Sequence, residues 1–298
     1  MNRTTRRPTT KRRKMMAEII DGKAISASER EIIKEKTAGL SKLGVTPCLA
    51  VIIVGEDPAS KVYVRNKHKA CESVGFKSII CEMGEDTTTD ELVAKVSEFA
   101  SEREVDGILV QLPLPRHIDE MAVIKAIPPE KDVDAFTLEN VGAIMTGDPV
   151  FLPCTPAGIM KMLEYKNVDI EGKECVVVGR SNIVGKPMAM LLLSKNGTVT
   201  VCHSRTKDLP NVTRRADILV AAVGKPRFIR ADMVKPGAVV IDVGINRESD
   251  GKLCGDVDFE GVSEVASMIT PVPGGVGPMT ITTLLSNTLR SAERRAQK

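Results

Sequence analysis

Residues 174–193 read ECVVVGRSNIVGKPMAMLLL, and this stretch decides the fold. Glu174–Val178 is a short, mostly apolar run that suits a strand buried on both faces. It gives way at once to Gly179-Arg180-Ser181-Asn182-Ile183-Val184-Gly185-Lys186-Pro187, and Met188–Leu193 continues as an apolar helix. A strand, a glycine turn and a helix N-terminus together form an anion site, because free backbone N–H groups and the helix dipole face the ligand. The spacing is not G-x-G-x-x-G, since Gly179 and Gly185 stand six apart and Arg180-Ser181 replace the second glycine. Two readings follow, a dinucleotide site or an ordinary tight turn. Thr198–Cys202, Asp217–Val223 and Ala238–Val243 are three more apolar runs, so this half reads as a Rossmann-like unit.

The residues after Cys202 favour the dinucleotide and choose its kind. NAD-preferring folds carry an acid there for the ribose 2′-hydroxyl. This chain has His203-Ser204-Arg205-Thr206 instead. Arg180, Ser204 and Arg205 offer two guanidinium groups and a hydroxyl, which suit a 2′-phosphate. The expected cofactor is NADP.

Upstream, Cys48–Val54, Lys77–Cys81 and Gly107–Leu112 read as strands. Between and before them lie helical patterns. Ser28-Glu29-Arg30-Glu31 reads as a capping box opening a helix through Ile32, Ile33 and Leu40, closing near Gly44. A second helix carries Tyr63 and Lys67 and stops at Gly75, and a third, capped by Thr89, runs through Phe99 and Ala100. Alternating strands and helices predict a parallel sheet covered on both faces. Phe151–Pro156 reads as a domain boundary, with Thr155 capping a helix and Pro156 in its first turn. A last helix is expected over 279–296.

Four features carry candidate chemistry. Tyr63 and Lys67, four apart, share a helix face, and a lysine beside an aromatic in a cleft loses its proton more easily than one in water. Such a lysine is a candidate general base, though two solvated side chains would give the same pattern. Gln111 sits in an apolar strand, at the end where open α/β sheets bind ligands; the alternative is a core glutamine satisfied by backbone. Lys131-Asp132-Val133-Asp134 offers carboxylates, or is a solvated turn. Gly274-Gly275-Val276-Gly277-Pro278 lets backbone approach a ligand, or is a hinge.

Composition narrows the class. The chain has 298 residues, 42% hydrophobic and 27% charged, which suits a two-domain globular protein. No apolar run is long enough to suggest a membrane span. Aromatics make up 3% and tryptophan is absent, so an aromatic platform for nucleic-acid bases is not expected. The seven cysteines form no C-x-x-C pair and read as reduced core residues, pointing to a reducing, cytoplasmic compartment. The three histidines lie far apart, and no metal signature is present. Residues 1–14 hold seven basic residues and no acid; removing these seven from a formal net charge of +3 leaves the rest at −4. Residues 1–15 are expected to be a disordered basic tail. It reads as an extension ahead of a start at Met15 or Met16, a polyanion-binding arm, or part of a targeting sequence, the first being favoured.

Several long runs together resemble one family. They are Val54-Gly55 with Ser60-Lys61-Val62-Tyr63-Val64 and Lys67, DGILVQLPLP at 106–115, KDVD at 131–134, PCTP at 153–156, GRSNIVGKP at 179–187 and TPVPGGVGPMT at 270–280. In this order they resemble the bifunctional methylenetetrahydrofolate dehydrogenase/methenyltetrahydrofolate cyclohydrolase family. The resemblance implies two α/β domains with a cleft between them, the second a Rossmann-like NADP-binding domain, and a homodimer. It implies a folate-binding catalytic domain of residues 16–152 plus 275–298, and an NADP-binding domain of 153–274. Lys67, Gln111 and Tyr63 are the implied catalytic residues. Tyr63, Ser60, Asp134, Pro273, Gly274 and Gly275 would hold folate, and Gly179, Arg180, Ser181, Ser204 and Ile245 would hold NADP. One departure is Ala135, where the family commonly has glycine; a positive φ there would strain the loop beside Asp134. A dehydrogenase lacking the second activity, and a nucleic-acid-binding protein acting through the tail, are the competing expectations.

Overall fold

The computed structural model describes residues 16–248 and 250–297, and the basic tail expected over residues 1–15 lies outside them. The chain begins with β1 (Glu18–Ile19), α1 (Gly22–Lys42), β2 (Cys48–Val54), α2 (Pro58–Ser73), β3 (Lys77–Met83), α3 (Thr89–Ser101) and β4 (Gly107–Val110). Two short helices, α4 (Glu120–Ala126) and α5 (Leu138–Thr146), lead to α6 (Cys154–Tyr165). There follow β5 (Glu174–Val178), α7 (Gly185–Leu193), β6 (Thr198–Cys202), α8 (Leu209–Thr213), β7 (Ile218–Ala221) and β8 (Val239–Asp242). The chain closes with β9 (Asn246–Arg247), β10 (Leu253–Cys254), α9 (Phe259–Ser263), β11 (Met268–Ile269) and α10 (Val276–Ala296).

Two parallel sheets result. One has three strands in the order β3-β2-β4, and the other six in the order β1-β11-β8-β7-β5-β6. All seven residues of β2 are buried, as an apolar strand covered on both faces requires. In the larger sheet, Cys175 and Val177 face the core built on α6 and α7, while Val176 and Val178 face the core holding Val262 and Ile269. The expected division places residues 16–152 in the first domain. Glu18 and Ile19 nonetheless pair with β11 at the edge of the larger sheet, because Ile20 buries itself completely in the core beneath that sheet.

Helix ends differ from expectation at three places, two decided by local caps and one by a tertiary contact. The first helix starts at Gly22, not near Ser28, since Asp21 accepts from the N–H groups of Lys23 (3.0 Å) and Ala24 (3.1 Å). Ser28 donates instead to the carbonyl of Ala24. Thr88 and Glu91 form the capping box of α3, one residue ahead of Thr89. Thr155 caps nothing; its hydroxyl pairs with that of Thr280 at 3.0 Å.

The helix α10 belongs to both cores. Val276 and Met279 pack beneath the six-stranded sheet, and Leu284, Leu285, Leu289 and Ala292 pack against β2. Its last turn is fastened by Arg295, whose Nε and Nη2 donate to the two carboxylate oxygens of Asp106 at 2.7 and 3.0 Å. The side chain of Asp106 is 1% exposed. Truncation of Arg295 to alanine leaves that carboxylate buried without its cation. The Arg295→Ala variant is expected to lose about 3 kcal/mol of unfolding free energy in urea titrations, and a loss below about 1 kcal/mol would contradict this.

Candidate functional site

A cleft of about 1250 Å³ opens between the two sheets. Tyr63 and Lys67 reach it from α2, Gln111 from the end of β4, Asp134 from the following loop, Ile245 from beyond β8, and Pro273–Gly275 from the segment before α10.

The helix α2 is aimed by Asp57 and Pro58. The Asp57 carboxylate accepts from the N–H of Ser60 at 2.7 Å, and proline suits the first turn. Tyr63 is 39% exposed at the cleft wall, and Lys67, one turn later, is partly buried. Lys67 Nζ donates to Gln111 Oε1 at 3.0 Å. The strand β4 ends at Val110, but the Gln111 N–H still bonds the Ile52 carbonyl at 2.8 Å, so the sheet fixes the carboxamide. Its own amide group donates to the Leu112 carbonyl. Gln111 is therefore no mere core residue, for its oxygen is aimed at Lys67.

The loop 131–134 is likewise not a solvated turn. Lys131 Nζ donates to the carbonyls of Ala100 (2.8 Å) and Glu102 (2.7 Å) at the end of α3. Asp132 is buried and accepts from the N–H of Thr137 (2.8 Å) and Nδ2 of Asn140 (2.9 Å) at the start of α5. The Val133 carbonyl accepts from Asn287 of α10 at 2.8 Å. With its neighbours tied on three sides, Asp134 is left facing the cleft. Ala135 follows with φ +59° and no exposure, so the strain expected there is present, worth about 1 kcal/mol.

The electrostatics centre on Lys67 and Asp134. Burial lowers the pKa of Lys67 below that of a free lysine, and the charge of Asp134 opposes the shift. Burial raises the pKa of Asp134, opposed by Lys67 and by a hydrogen bond from the Cys154 thiol. Both groups are thus held closer to neutrality than in water. The amine can exchange a proton with a molecule in the cleft, and the carboxyl can bond a polar ring edge.

The other expected residues lie elsewhere. Ser60 is buried in the first turn of α2, its N–H on Asp57. Gly179, Arg180, Ser181 and Ser204 sit past the ends of β5 and β6, where Arg180, Ser181 and Ser204 are exposed. They adjoin the cleft through Ile183 and Val184, which line it. Gly179 has φ +134°, and a Cβ there would stand 2.2 Å from the Ala222 carbonyl oxygen. Gly185 could not carry one either, being packed on the Gly179 carbonyl. The Ser181 hydroxyl accepts from the N–H groups of Val184 (3.1 Å) and Gly185 (3.3 Å), shaping the turn. Arg180 and Arg205 enter no ion pair among the described residues, leaving their charges for an anion.

Comparison with known proteins decides the family. Residues 20–134 match the family model "Tetrahydrofolate dehydrogenase/cyclohydrolase, catalytic domain", and residues 153–296 match its "NAD(P)-binding domain". The chain belongs to the tetrahydrofolate dehydrogenase/cyclohydrolase family. The "Bifunctional protein FolD" of Agathobacter rectalis is 60% identical over 279 residues, covering 94% of this chain and 100% of that protein. A Campylobacter jejuni structure described as the bifunctional enzyme FolD, methylenetetrahydrofolate dehydrogenase/cyclohydrolase, superposes with TM-score 0.92 at 51% identity, covering 94% of this chain and 99% of that one. The Trypanosoma brucei methylenetetrahydrofolate dehydrogenase-cyclohydrolase, solved with NADP cofactor and an inhibitor, gives TM-score 0.92 at 39% identity, covering 95% and 99%.

In this member of the tetrahydrofolate dehydrogenase/cyclohydrolase family, sequence reasoning passed over Asp57, Asn287 and Gly22. Asp57-Pro58 is a legible helix start. Asn287, a polar residue on the apolar face of α10, is a weaker signal. Gly22 gave none, since its need arises from a partner 253 positions away: a Cβ at Gly22 would lie 1.8 Å from the Gly275 carbonyl oxygen. Lys23 N–H also bonds the Gly274 carbonyl at 3.1 Å. Replacing Gly22 by alanine must push the 273–275 segment into the cleft or α1 away from it. The Gly22→Ala variant is expected to lose about 2 kcal/mol of unfolding free energy, measured by denaturant titration; no loss would refute the contact.

Proposed function

We propose that this chain oxidises 5,10-methylenetetrahydrofolate to 5,10-methenyltetrahydrofolate with NADP, and hydrolyses the methenyl product to 10-formyltetrahydrofolate. The observation that carries the reading is the Lys67–Gln111 hydrogen bond beside Asp134, in a cleft adjoining the Gly179–Gly185 turn. Both activities are those named for the family. On this reading folate is taken by residues 16–152 with 275–298, and NADP by residues 153–274.

Tyr63 offers its ring to the pterin at the cleft wall, and Asp134 bonds the pterin edge. Ser60 fixes the first turn of α2 from which Tyr63 projects, and Pro273, Gly274 and Gly275 close the opposite side. Gly179 and Ser181 shape the turn that holds the cofactor, Arg180 and Ser204 meet its 2′-phosphate, and Ile245 packs at its inner end. The donor set fits: two guanidinium groups, free of ion pairs among the described residues, and a hydroxyl stand past β5 and β6, with no carboxylate in residues 203–206. Bound NADP supplies the hydride acceptor for the methylene carbon.

The methenyl product is a cation, so a charged lysine beside it is unfavourable. The lowered pKa of Lys67 reduces that conflict, and Gln111 holds the amine at a defined point. Water adds to the methenyl carbon and Lys67 takes its proton; the amine returns that proton to the departing ring nitrogen as the C–N bond opens, and the remaining hydroxyl proton leaves to solvent as the formyl C=O forms. A homodimer and a reducing, cytoplasmic location are part of this proposal, the second supported by free cysteines throughout. No helix among the described residues is long and apolar enough to cross a membrane.

The direct test supplies 5,10-methylenetetrahydrofolate and NADP⁺ to the purified protein and follows reduced cofactor and methenyl product separately. Reduced cofactor without methenyl build-up is expected; no reduction would remove the proposal. Lys67→Met is expected to slow methenyl hydrolysis by about 10²-fold or more. Because Lys67 acts when neutral and its pKa is lowered, hydrolysis should rise with pH through a midpoint below that of a free lysine. Asp134 favours the charged amine, so Asp134→Asn should move the midpoint to lower pH. An unmoved midpoint would separate Lys67 from the rate-limiting proton transfer.

A further inference from the structure

We propose that Asp242 and Asp256 are positioning residues for the cofactor, a buried carboxylate pair that clamps three chain segments together and so holds Ile245 at the cleft. Asp242, the last residue of β8, is 3% exposed, and Asp256 is fully buried. Among the described residues, neither has a basic side chain as partner. Their donors are backbone N–H groups and one side-chain amide. Asp242 Oδ1 accepts from the N–H groups of Gly244 (3.1 Å) and Asp256 (2.8 Å), and Oδ2 accepts from that of Val257 (3.0 Å). Asp256 Oδ2 accepts from the N–H groups of Val223 (2.6 Å) and Gly224 (2.9 Å), and Oδ1 accepts from Lys225 N–H (2.9 Å) and Asn246 Nδ2 (2.9 Å).

The two carboxylates therefore knit residues 223–225, 244–246 and 255–257 at the ends of β7 and β8. Ile245 lies inside the knot, between Gly244 and Asn246, and is 47% exposed with its side chain lining the cleft. Its Cδ1 would stand 3.7 Å from a Cβ on Gly277, across the cleft at the start of α10. The glycines show how close the knot is. A Cβ on Gly255 would fall 1.8 Å from Asp242 Oδ2, and one on Gly244 would fall 2.2 Å from Asp256 Oδ1. A fold that needed only a tight loop would not require two carboxylates with seven donors between them. Two desolvated charges are a costly anchor unless the position of the segment matters.

The pair also makes the anchor sensitive to pH. The titratable groups facing Asp242 are Asp256 and the Cys254 thiol. Burial pushes Asp242 up to about 7, with Asp256 adding to the rise and the backbone donors opposing it. When Asp242 is ionised, all three N–H groups meet a carboxylate. When it is protonated, one acceptor position becomes a donor among donors and the knot loosens.

The proposal rests on the cofactor reading of Ile245, and the second activity provides an internal control because methenyl hydrolysis needs no cofactor. The experiment measures KM for NADP⁺ in the dehydrogenase assay and kcat/KM for methenyl hydrolysis in wild type, Asp242→Asn, Asp256→Asn and the milder Asn246→Ala. KM for NADP⁺ is expected to rise about tenfold in the aspartate variants and about twofold in Asn246→Ala, with hydrolysis unchanged within about twofold. In wild type, KM for NADP⁺ should fall as pH rises through about 7, and this limb should be missing in Asp242→Asn. The cofactor phosphate titrates alike in both proteins and cancels in the comparison. Equal loss of both activities in every variant, Asn246→Ala included, would make the pair merely structural and overturn the proposal. An unchanged KM, or a pH limb that persists in Asp242→Asn, would overturn it too. A wild type lacking both activities would overturn the functional reading, and the proposal with it.

Discussion

One helix shared by two hydrophobic cores is the constraint on which the rest of the molecule depends. The 21 residues of α10 span about 30 Å, enough to begin under the larger sheet and end against the smaller. Val276 and Met279 enter one core, and Leu284, Leu285 and Leu289 enter the other. At Gly158 the helix α6 passes so close that a Cβ would meet Met279 Cβ at 3.0 Å. The two sheets consequently cannot separate without exposing apolar surface from both cores.

The same helix reaches into the site's chemistry. Its Asn287 amide donates to the carbonyls of Val133 and Leu152, on either side of the segment that ends the first sheet unit. The orientation of Asp134 is thus set by a residue 153 positions later. Lys67 has an amide and one carboxyl as polar company, and burial outweighs the carboxyl in setting its charge. An amine placed this way can give and take a proton beside a substrate that becomes cationic. A fully paired lysine would stay charged and could do neither.

The two ends of the cleft follow different physical rules. Around Lys67 the groups are withdrawn from water and held by strand, helix and loop at once. At the Gly179–Gly185 turn and the end of β6, Arg180 and Ser204 are exposed. A phosphate with several negative charges can be gathered by exposed cations at long range. A pterin ring, carrying no such charge, needs shape and short contacts. Between these ends stands Ile245, fixed by neither and tied by its backbone neighbours to buried carboxylates.

Much of this was legible in the sequence. The apolar runs of β2 and β5 were recognisable because strands buried on both faces have no polar alternation, and the glycine turn after Val178 was legible as the break between strand and helix. Tyr63 and Lys67 were placed together by helix geometry alone, and the anomaly of Gln111 in an apolar strand was itself the signal. Local patterns of this kind are set by interactions a few residues apart, and so they survive in a single sequence. The Asp21 cap of α1 is a local signal that was passed over for Ser28. The place of Glu18 and Ile19 in the second sheet and the absence of a side chain at Gly22 were not legible, because each is fixed by a partner far away in the chain. The carboxylates of Asp242 and Asp256 belong to that second group. Only the tertiary structure brings backbone N–H groups from three separate segments around them, and an acid in an apolar run says nothing, by itself, of where its donors will come from.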